Sequence, residues 1–383
     1  MRVLFLQQGL GYGGASQSLI QMQKALRDDV EIFTVLKKNK RLNKQLKHLL
    51  SSSREIIEMH LPGVHSYPEG ISTEEELAMA NKFFPNELVN FINENQIDIL
   101  HVNSSVFTSL YESVKQKTRV KIVTHVREVI PSANDVVTQF IIQQIRKHSD
   151  FIICIAEEEA IHFNDLQQCK ILRNPVDTSY FQPNVDRDNR QYVVGMMANF
   201  NALKGHDTFV EVANLAMQDE QGRNWKFELI GMPESGFLSW KNWLPYAGLR
   251  YYQKIRRMLK ATINPNVRVI PFQSDVKPAI QNWHIAMRLE RSMKPWGRDV
   301  IECMAMGIPM VALGSSEVMI MHEETGWLVR ENKVDEIFQQ LKRSLTDQEK
   351  LQRISKNARN WAEQNVGLTK YRQAVIKIYN DIL

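Results

Sequence analysis

Ten short, nearly continuous apolar runs recur along this chain, separated by longer stretches with helical spacing. Five fall in the first half: Val3–Gln7, Val30–Leu36, Asp98–Asn103, Lys121–Val126 and Asp150–Ala156. Five fall in the second: Tyr192–Ala198, Lys226–Gly231, Val267–Phe272, His284–Glu290 and Pro309–Gly314. A strand that is apolar on both faces must be covered on both, and helices between successive strands supply that cover. The pattern therefore predicts α/β architecture with parallel sheets, and two such sets imply two doubly wound, Rossmann-like domains. Proline, asparagine and aspartate crowd between them, from Asn174 to Pro183 and on through the polar 184–190 segment, as in a linker. The expected domains are 1–178 and 190–366. The last segment, Gly367 to Leu383, reads as a helix with Leu368, Tyr371, Val375, Ile378 and Ile382 on one stripe.

The 383 residues suffice for two domains of ordinary size, and 43% hydrophobic with 24% charged residues is the balance of a globular protein. No apolar run approaches the roughly 20 residues that span a bilayer. The apolar part of the N-terminus is too short for a signal peptide and reads as a first strand. Three cysteines, Cys154, Cys169 and Cys303, are few and lack metal-ligand spacing, so a reducing cytoplasm is the expected compartment. The net charge of +5 suits an anionic ligand or membrane surface and is far from the footprint of a nucleic-acid binder.

In doubly wound folds ligands bind at the carboxyl ends of the strands, and with two domains the expected site is a cleft between them. One loop there carries the strongest chemical signal. Pro295-Trp296-Gly297-Arg298 opens a short helix whose apolar face is Val300, Ile301, Met304 and Ala305, and Gly307 with Pro309 stops it. A glycine turn at a helix N-terminus offers free N–H groups and the positive end of a dipole to an anion. Glu302 lies one turn in. A nucleotide diphosphate with its ribose would satisfy both features.

Three further loops sit at equivalent places. Gly9, Gly11 and Gly14 spell G-x-G-x-x-G after the first strand, but the second strand ends in Leu36-Lys37-Lys38 where the dinucleotide fingerprint wants an acid. The lysine pair suits a 2′-phosphate, which keeps an NADP-binding oxidoreductase open; the glycines are equally read as a tight turn. In the second half, Asn199 to His206 follows a strand, and Lys204 before Gly205 puts an ammonium at the same edge. A solvated loop lysine is the plain alternative, but a diphosphate held by Lys204 and the Gly297 turn makes a coherent site. His125 ends a strand and is followed by Arg127 and Glu128; it reads either as a polar contact to the reacting group or as a structural histidine bonded to Glu128 or backbone. His101 reads as buried and structural.

Two basic segments invite a membrane reading. Arg41 to Leu50 is a basic amphipathic helix that either lies on an anionic surface or docks on the sheet with its charges in water. Phe237 to Lys260 mixes Trp240, Trp243, Tyr246, Tyr251 and Tyr252 with lysines and arginines, as suits a membrane interface, a sugar-bearing acceptor or a helix packing its aromatics.

Taken in order, these pieces resemble glycosyltransferase family 4, retaining enzymes of the GT-B fold. Gly13-Gly14-Ala15 resembles the N-terminal Gly-Gly loop and His125-Val126-Arg127-Glu128 the strand-end histidine segment. Asn174-Pro175-Val176-Asp177 with Phe181 and Pro183 resembles "N-G-V-D…F-x-P", and Lys204-Gly205-His206 the "K-G" donor loop. Trp296 to Pro309 resembles "F-G-x-x-x-x-E-A-M-A-x-G-x-P", with Cys303 where alanine is usual, and Thr325 to Val329 resembles "T-G-x-L-V". The last helix, 367–383, resembles the one that returns to the first domain. The resemblance implies a nucleotide-diphosphate sugar as donor and a glycan, lipid-linked or small acceptor, with no cofactor and no metal. It implies Lys204 on the diphosphate, Glu302 on the ribose hydroxyls, Gly297 and Arg298 amides on phosphate or sugar, Gly13 and Gly14 close to the donor, and His125 on the transferred sugar.

Three positions depart from that pattern. Asn199 stands where arginine is usual, Lys294 where a second glutamate is usual, and Ser315-Ser316 where Gly-Gly is common. The leading expectation is a retaining glycosyltransferase, cytoplasmic with peripheral contact at the inner face of the membrane. The alternatives are a catalytically degenerate GT-B binding or partner protein and the NADP enzyme.

Overall fold

The computed structural model describes residues 1–8, 13–66, 71–132, 134–188, 190–232, 246–261 and 266–383. These form two compact units, Met1–Pro175 together with Val366–Leu383, and Val176–Asn365.

The sheet of the first unit contains β1 (Arg2–Gln7), β2 (Glu31–Lys37), β3 (Glu55–Met59), β4 (Ile99–Val102), β5 (Lys121–Val126), β6 (Phe151–Cys154) and β7 (Cys169–Ile171). Their order is β3-β2-β1-β4-β5-β6-β7, and every pairing is parallel. Successive side chains on a strand alternate between faces. Leu4 and Leu6 accordingly join one buried cluster with Phe33, Val35 and Val102, while Val3 and Phe5 join another with Ile32 and Ile99. The second cluster also holds Leu19 and Met22 from the Gly14–Leu26 helix and Tyr371, Val375, Ile378 and Tyr379 from the Leu368–Ile382 helix. That stripe is why the end of the chain belongs to the first unit.

The second unit contains β8 (Val193–Met197), β9 (Lys226–Met232), β10 (Val267–Pro271), β11 (Ile285–Arg288), β12 (Met310–Leu313) and β13 (Gly326–Val329). The order β10-β9-β8-β11-β12-β13 is again wholly parallel. In both sheets the winding reverses once, between β1 and β4 and between β8 and β11. Such a reversal parts the connecting loops and leaves a crevice beyond the carboxyl ends of the two strands.

The ten expected strands are present, with ends that differ by a residue or two. Three strands had no expectation: β3, β7 and β13. All three are sheet edges. β3 carries a glutamate at its start and another at its fourth position, and β7 is only three residues long, so neither offers a continuous apolar run. The basic Lys40–Leu49 helix docks on the first unit, with Leu46 buried, Lys47 paired to Glu58 at 2.9 Å, and Leu50 buried just beyond it. Tyr251 and Tyr252 of the Tyr246–Ala261 helix are buried in the second unit, so these aromatics pack; Trp240 and Trp243 lie outside the described residues. No helix among the described residues is long and apolar enough to cross a membrane.

Candidate active site

At the switch point of the second sheet the loop after β8 meets the loop after β11. Asn201 caps a single 3-10 turn, Ala202–Lys204, by accepting the Leu203 N–H at 2.9 Å. Gly205 follows with φ +75°, and a side chain there would lie 2.2 Å from the Leu289 carbonyl oxygen. Only glycine fits both the left-handed backbone and that close approach. Arg291, beyond β11, locks the same loop: its N–H donates to the Leu203 carbonyl at 2.7 Å and its guanidinium reaches Asp207 at 2.6 Å. Asp207 also accepts from Tyr251 at 2.8 Å and Lys254 at 2.7 Å. Burial works to raise its carboxyl, but these donors prevail and hold it at about 2.

This scaffold sets Lys204 against Glu290, Nζ to Oε2 at 2.7 Å. Glu290 accepts also from Arg288 and, at 2.9 Å, from Ser292. Burial again opposes its charged form, yet the positive charges of Arg288 and Lys204 keep its carboxyl below the usual range. Arg288, the last residue of β11, is only 10% exposed. Its Nη1 binds both oxygens of Asp299 at 2.6 and 2.5 Å, and its Nε binds the Lys294 carbonyl at 2.8 Å. An unbroken chain thus runs Lys204–Glu290–Arg288–Asp299 and ends in the first turn of the Arg298–Ala305 helix.

Gly297 caps that helix. A side chain on Gly297 would lie 2.5 Å from the Asp299 carboxylate and 2.9 Å from Arg288, so it would have to push the ends of that ion pair aside. The helix ends in a Schellman arrangement: Ile308 N–H to the Cys303 carbonyl and Gly307 N–H to the Met304 carbonyl, each 2.9 Å, with Gly307 at φ +61°. Within it Arg298 grips Glu302, Nε at 3.0 Å and Nη2 at 2.6 Å. Burial raises the Glu302 carboxyl above its ordinary value, and the nearby Asp299 and Asp275 carboxylates add to it against the opposing pull of Arg298. Asn199 is exposed. Lys294 is half-buried with its Nζ 5.9 Å from the Trp296 ring centre.

The switch point of the first sheet has other chemistry. Gln7 ends β1 and Asn103 follows β4; the Asn103 amide donates to the Gln7 side-chain oxygen at 2.5 Å. Arg127, just past β5, donates to Asn103 at 2.6 Å, to Asn174, and to Nδ1 of His125 at 3.3 Å. His125 is fully buried. Its other neighbour is His101, ring nitrogen to ring nitrogen at 3.2 Å, and His101 in turn meets the Tyr379 hydroxyl at 2.6 Å. Glu128 does not hold His125; it binds Ser104 and Ser105. Gly13 caps the following helix with φ −85°, and a side chain on Gly13 or Gly14 meets nothing within 4 Å among the described residues. Among the described residues neither backbone strain nor packing explains this glycine pair. Gly9 and Gly11 lie outside the described residues.

The structure therefore brings Lys204, Gly297, Arg298 and Glu302 to one edge of the second unit, and Gly13, Gly14 and His125 to the same edge of the first. Arg288, Glu290 and Asp299 in the second unit, and Asn103, Arg127 and Tyr379 in the first, went unread in the sequence. A signal existed for Arg288 and Glu290: two charged residues closing an apolar strand have to be paired. Among the described residues no group of His, Cys, Asp or Glu could hold a metal ion.

Residues 179–361 match the family model described as "Glycosyl transferases group 1". No curated protein sequence matches the chain. Solved structures match it along its whole length. The Anabaena Alr3699/HepE protein in complex with UDP is 17% identical with a TM-score of 0.75, covering 100% of both chains. A glycosyltransferase from Rickettsia africae is 17% identical at a TM-score of 0.75, covering 100% of this chain and 98% of its own. Sucrose-phosphate synthase from Thermosynechococcus elongatus is 14% identical at 0.74, covering 100% and 99%. The fold is that of the GT-B glycosyltransferases.

Proposed function

We propose that this protein is a retaining glycosyltransferase that moves a hexose-type sugar from a nucleotide-diphosphate donor to a hydroxyl of a glycan, lipid-linked or small acceptor. The observation that carries the reading is the union of Lys204 with the Gly297–Glu302 helix start at one switch point, inside the segment that matches the glycosyl transferases group 1 model. Binding exchanges partners. The diphosphate takes Lys204 from Glu290 and meets the Gly297 and Arg298 amides, and the ribose hydroxyls take Glu302 from Arg298. A dianion replaces internal carboxylates, so few charges lose a partner. His125 contacts the transferred sugar, and Gly13 and Gly14 leave room for backbone approach. Asn199 and Lys294 border the diphosphate and sugar.

In the transfer step the acceptor oxygen bonds to the anomeric carbon on the face from which the phosphate departs. The carbon–phosphate-oxygen bond breaks, and the acceptor proton passes to the released phosphate oxygen. The protein supplies positioning and cationic stabilisation of the leaving group. The HepE structures hold UDP and, in one case, UDP-glucose, which makes these the first probes.

Calorimetry with UDP, GDP and NADP tests the reading. A nucleoside diphosphate is expected to bind, and Lys204→Ala and Glu302→Ala are each expected to weaken it about 10- to 100-fold, the worth of one charge-assisted bond. Binding of NADP alone would favour the oxidoreductase. Unchanged affinity in both variants would remove the site assignment. The departures at Asn199 and Lys294 support one second reading, a protein that binds the donor without transferring it; sugar release across an acceptor panel separates the two.

A further inference from the structure

The buried hydrogen-bond chain in the first unit determines where its protons sit. Tyr379 Oη lies 2.6 Å from His101 Nδ1, His101 Nε2 lies 3.2 Å from His125 Nδ1, and Arg127 Nη2 lies 3.3 Å from that same Nδ1. A neutral imidazole has one donor and one acceptor nitrogen, and a guanidinium only donates. Arg127 therefore makes His125 Nδ1 the acceptor. His101 must then donate from Nε2, which turns its Nδ1 lone pair toward Tyr379, and the phenol gives its proton there. The phenol and His101 are compatible with the opposite direction; Arg127 is the group that forbids it.

The outcome appears at the far end. His125 carries its proton on Nε2, and this buried atom has no hydrogen-bond partner among the described residues. Such an orphan donor is costly and rare in folded proteins. Both rings also resist a second proton. Burial, and after it the Arg127 charge, lowers His101 to about 3, and the same causes with His101 added put His125 well below its usual value.

We propose that Arg127 is a positioning residue that locks His125, through His101 and Tyr379, into the Nε2–H tautomer, so that His125 offers one uncharged N–H to a ligand oxygen. On the reading given under Proposed function that oxygen is a hydroxyl of the transferred sugar. The lock has a chemical consequence. His125 has no free lone pair, so it takes no proton from the acceptor, and being neutral it does not compete for the diphosphate. It also ties the Leu368–Ile382 helix to the site through one hydroxyl.

Long-range 1H–15N spectra of the full chain with labelled histidine test this, with His101→Gln and His125→Gln supplying assignments. Both rings are expected as pure Nε2–H tautomers, unchanged from about pH 8 to pH 5, a range in which an ordinary histidine titrates. A His125 ring with its proton on Nδ1, or one that titrates in that range, overturns the proposal. In Arg127→Met both directions of the chain become allowed, so the two rings are expected to turn into tautomer mixtures together. A His125 ring that stays pure in that variant removes Arg127 as the lock. Adding UDP-glucose to the wild type is expected to shift the His125 Nε2–H resonance. No shift, with the tautomer intact, removes the sugar contact and leaves the lock standing.

Discussion

The two switch points share a topology and differ in chemistry. In the first unit β1 and β4 are bridged by two neutral amides, Gln7 and Asn103, and the network runs on into a pair of uncharged histidines. In the second, the loops after β8 and β11 are bridged by an ion pair, Lys204–Glu290, and the network runs on through Arg288 to Asp299. Neutral donors and acceptors with fixed hydrogens orient an uncharged polyol at little desolvation cost. Paired charges hold each other until a stronger anion takes the cation. One topology thus carries a neutral, hydrogen-bonded edge and a paired-charge edge, and the difference lies in a few residues just past the strand ends.

The sharpest way to break this contrast is to remove the cation shared by Glu290 and Asp299. Arg288→Met is similar in volume but takes the cation from Asp299 and leaves Glu290 with Lys204 alone among the cations described here, both carboxylates being largely buried. Loss of one member of a buried charge pair costs about 3–5 kcal/mol. Chemical denaturation is expected to detect that loss in the second unit, with weakened UDP binding because Lys204 then becomes the main partner of Glu290. A cost below about 1 kcal/mol, the worth of a surface pair, would mean the network is wet and the contrast with the first unit is overstated.

Acid tests the neutral edge of the first unit by a second route. An unfolded histidine has a pKa near 6.5, whereas His101 is held at about 3. Below about pH 6.5 the unfolded chain binds a proton that the folded chain refuses until about pH 3, so stability falls as pH drops through that window. By pH 5 the loss from His101 alone is about 2 kcal/mol. His206 and His284 in the second unit, each depressed to about 4 mainly by burial, lose stability in the same direction but stop sooner. Thermal melts at pH 7 and pH 5 are expected to show a lower midpoint in acid, and His101→Gln a flatter dependence. An equal slope in wild type and variant would mean that His101 is not held neutral.

How far the sequence revealed all this follows the same physics. Strands such as β1 and β12 stand out because both faces are buried and the run is apolar throughout; edge strands such as β3 and β7 have only part of that signal. Glycines reveal the loops but not their reason. Gly205 is there for its backbone and for Leu289, Gly297 for the Arg288–Asp299 pair, and Gly13 and Gly14 for neither. Tyr379 is 278 residues from His101 and falls outside the stripe that the spacing picks out in the last helix, and nothing local distinguishes a buried hydroxyl with a partner from one without. Arg288 and Glu290 were legible as charges out of place, though not as a chain, because pairing across a switch point depends on three-dimensional strand order.

The smallest expected effect concerns Lys294, where the resembled family has a glutamate. Its backbone is independent of its side chain, since the carbonyl is held by Arg288 at 2.8 Å whatever residue stands there. Its ammonium lies 5.9 Å from the Trp296 ring centre, a contact worth about 0.5–1 kcal/mol at an exposed site. Lys294→Glu should therefore leave the backbone here in place, since that carbonyl contact does not depend on the side chain. On the proposed function its effect falls on ligand choice. An ammonium beside the second unit's ion pairs favours a donor with an acidic sugar, and a carboxylate repels one. Competition calorimetry with UDP-glucose and UDP-glucuronic acid is expected to show the preference moving several-fold toward the neutral sugar in the variant. A ratio that does not move would make Lys294 a bystander. It would then be the fixed pairs of Arg288, not the charge at position 294, that set this edge apart from the neutral edge of the first unit.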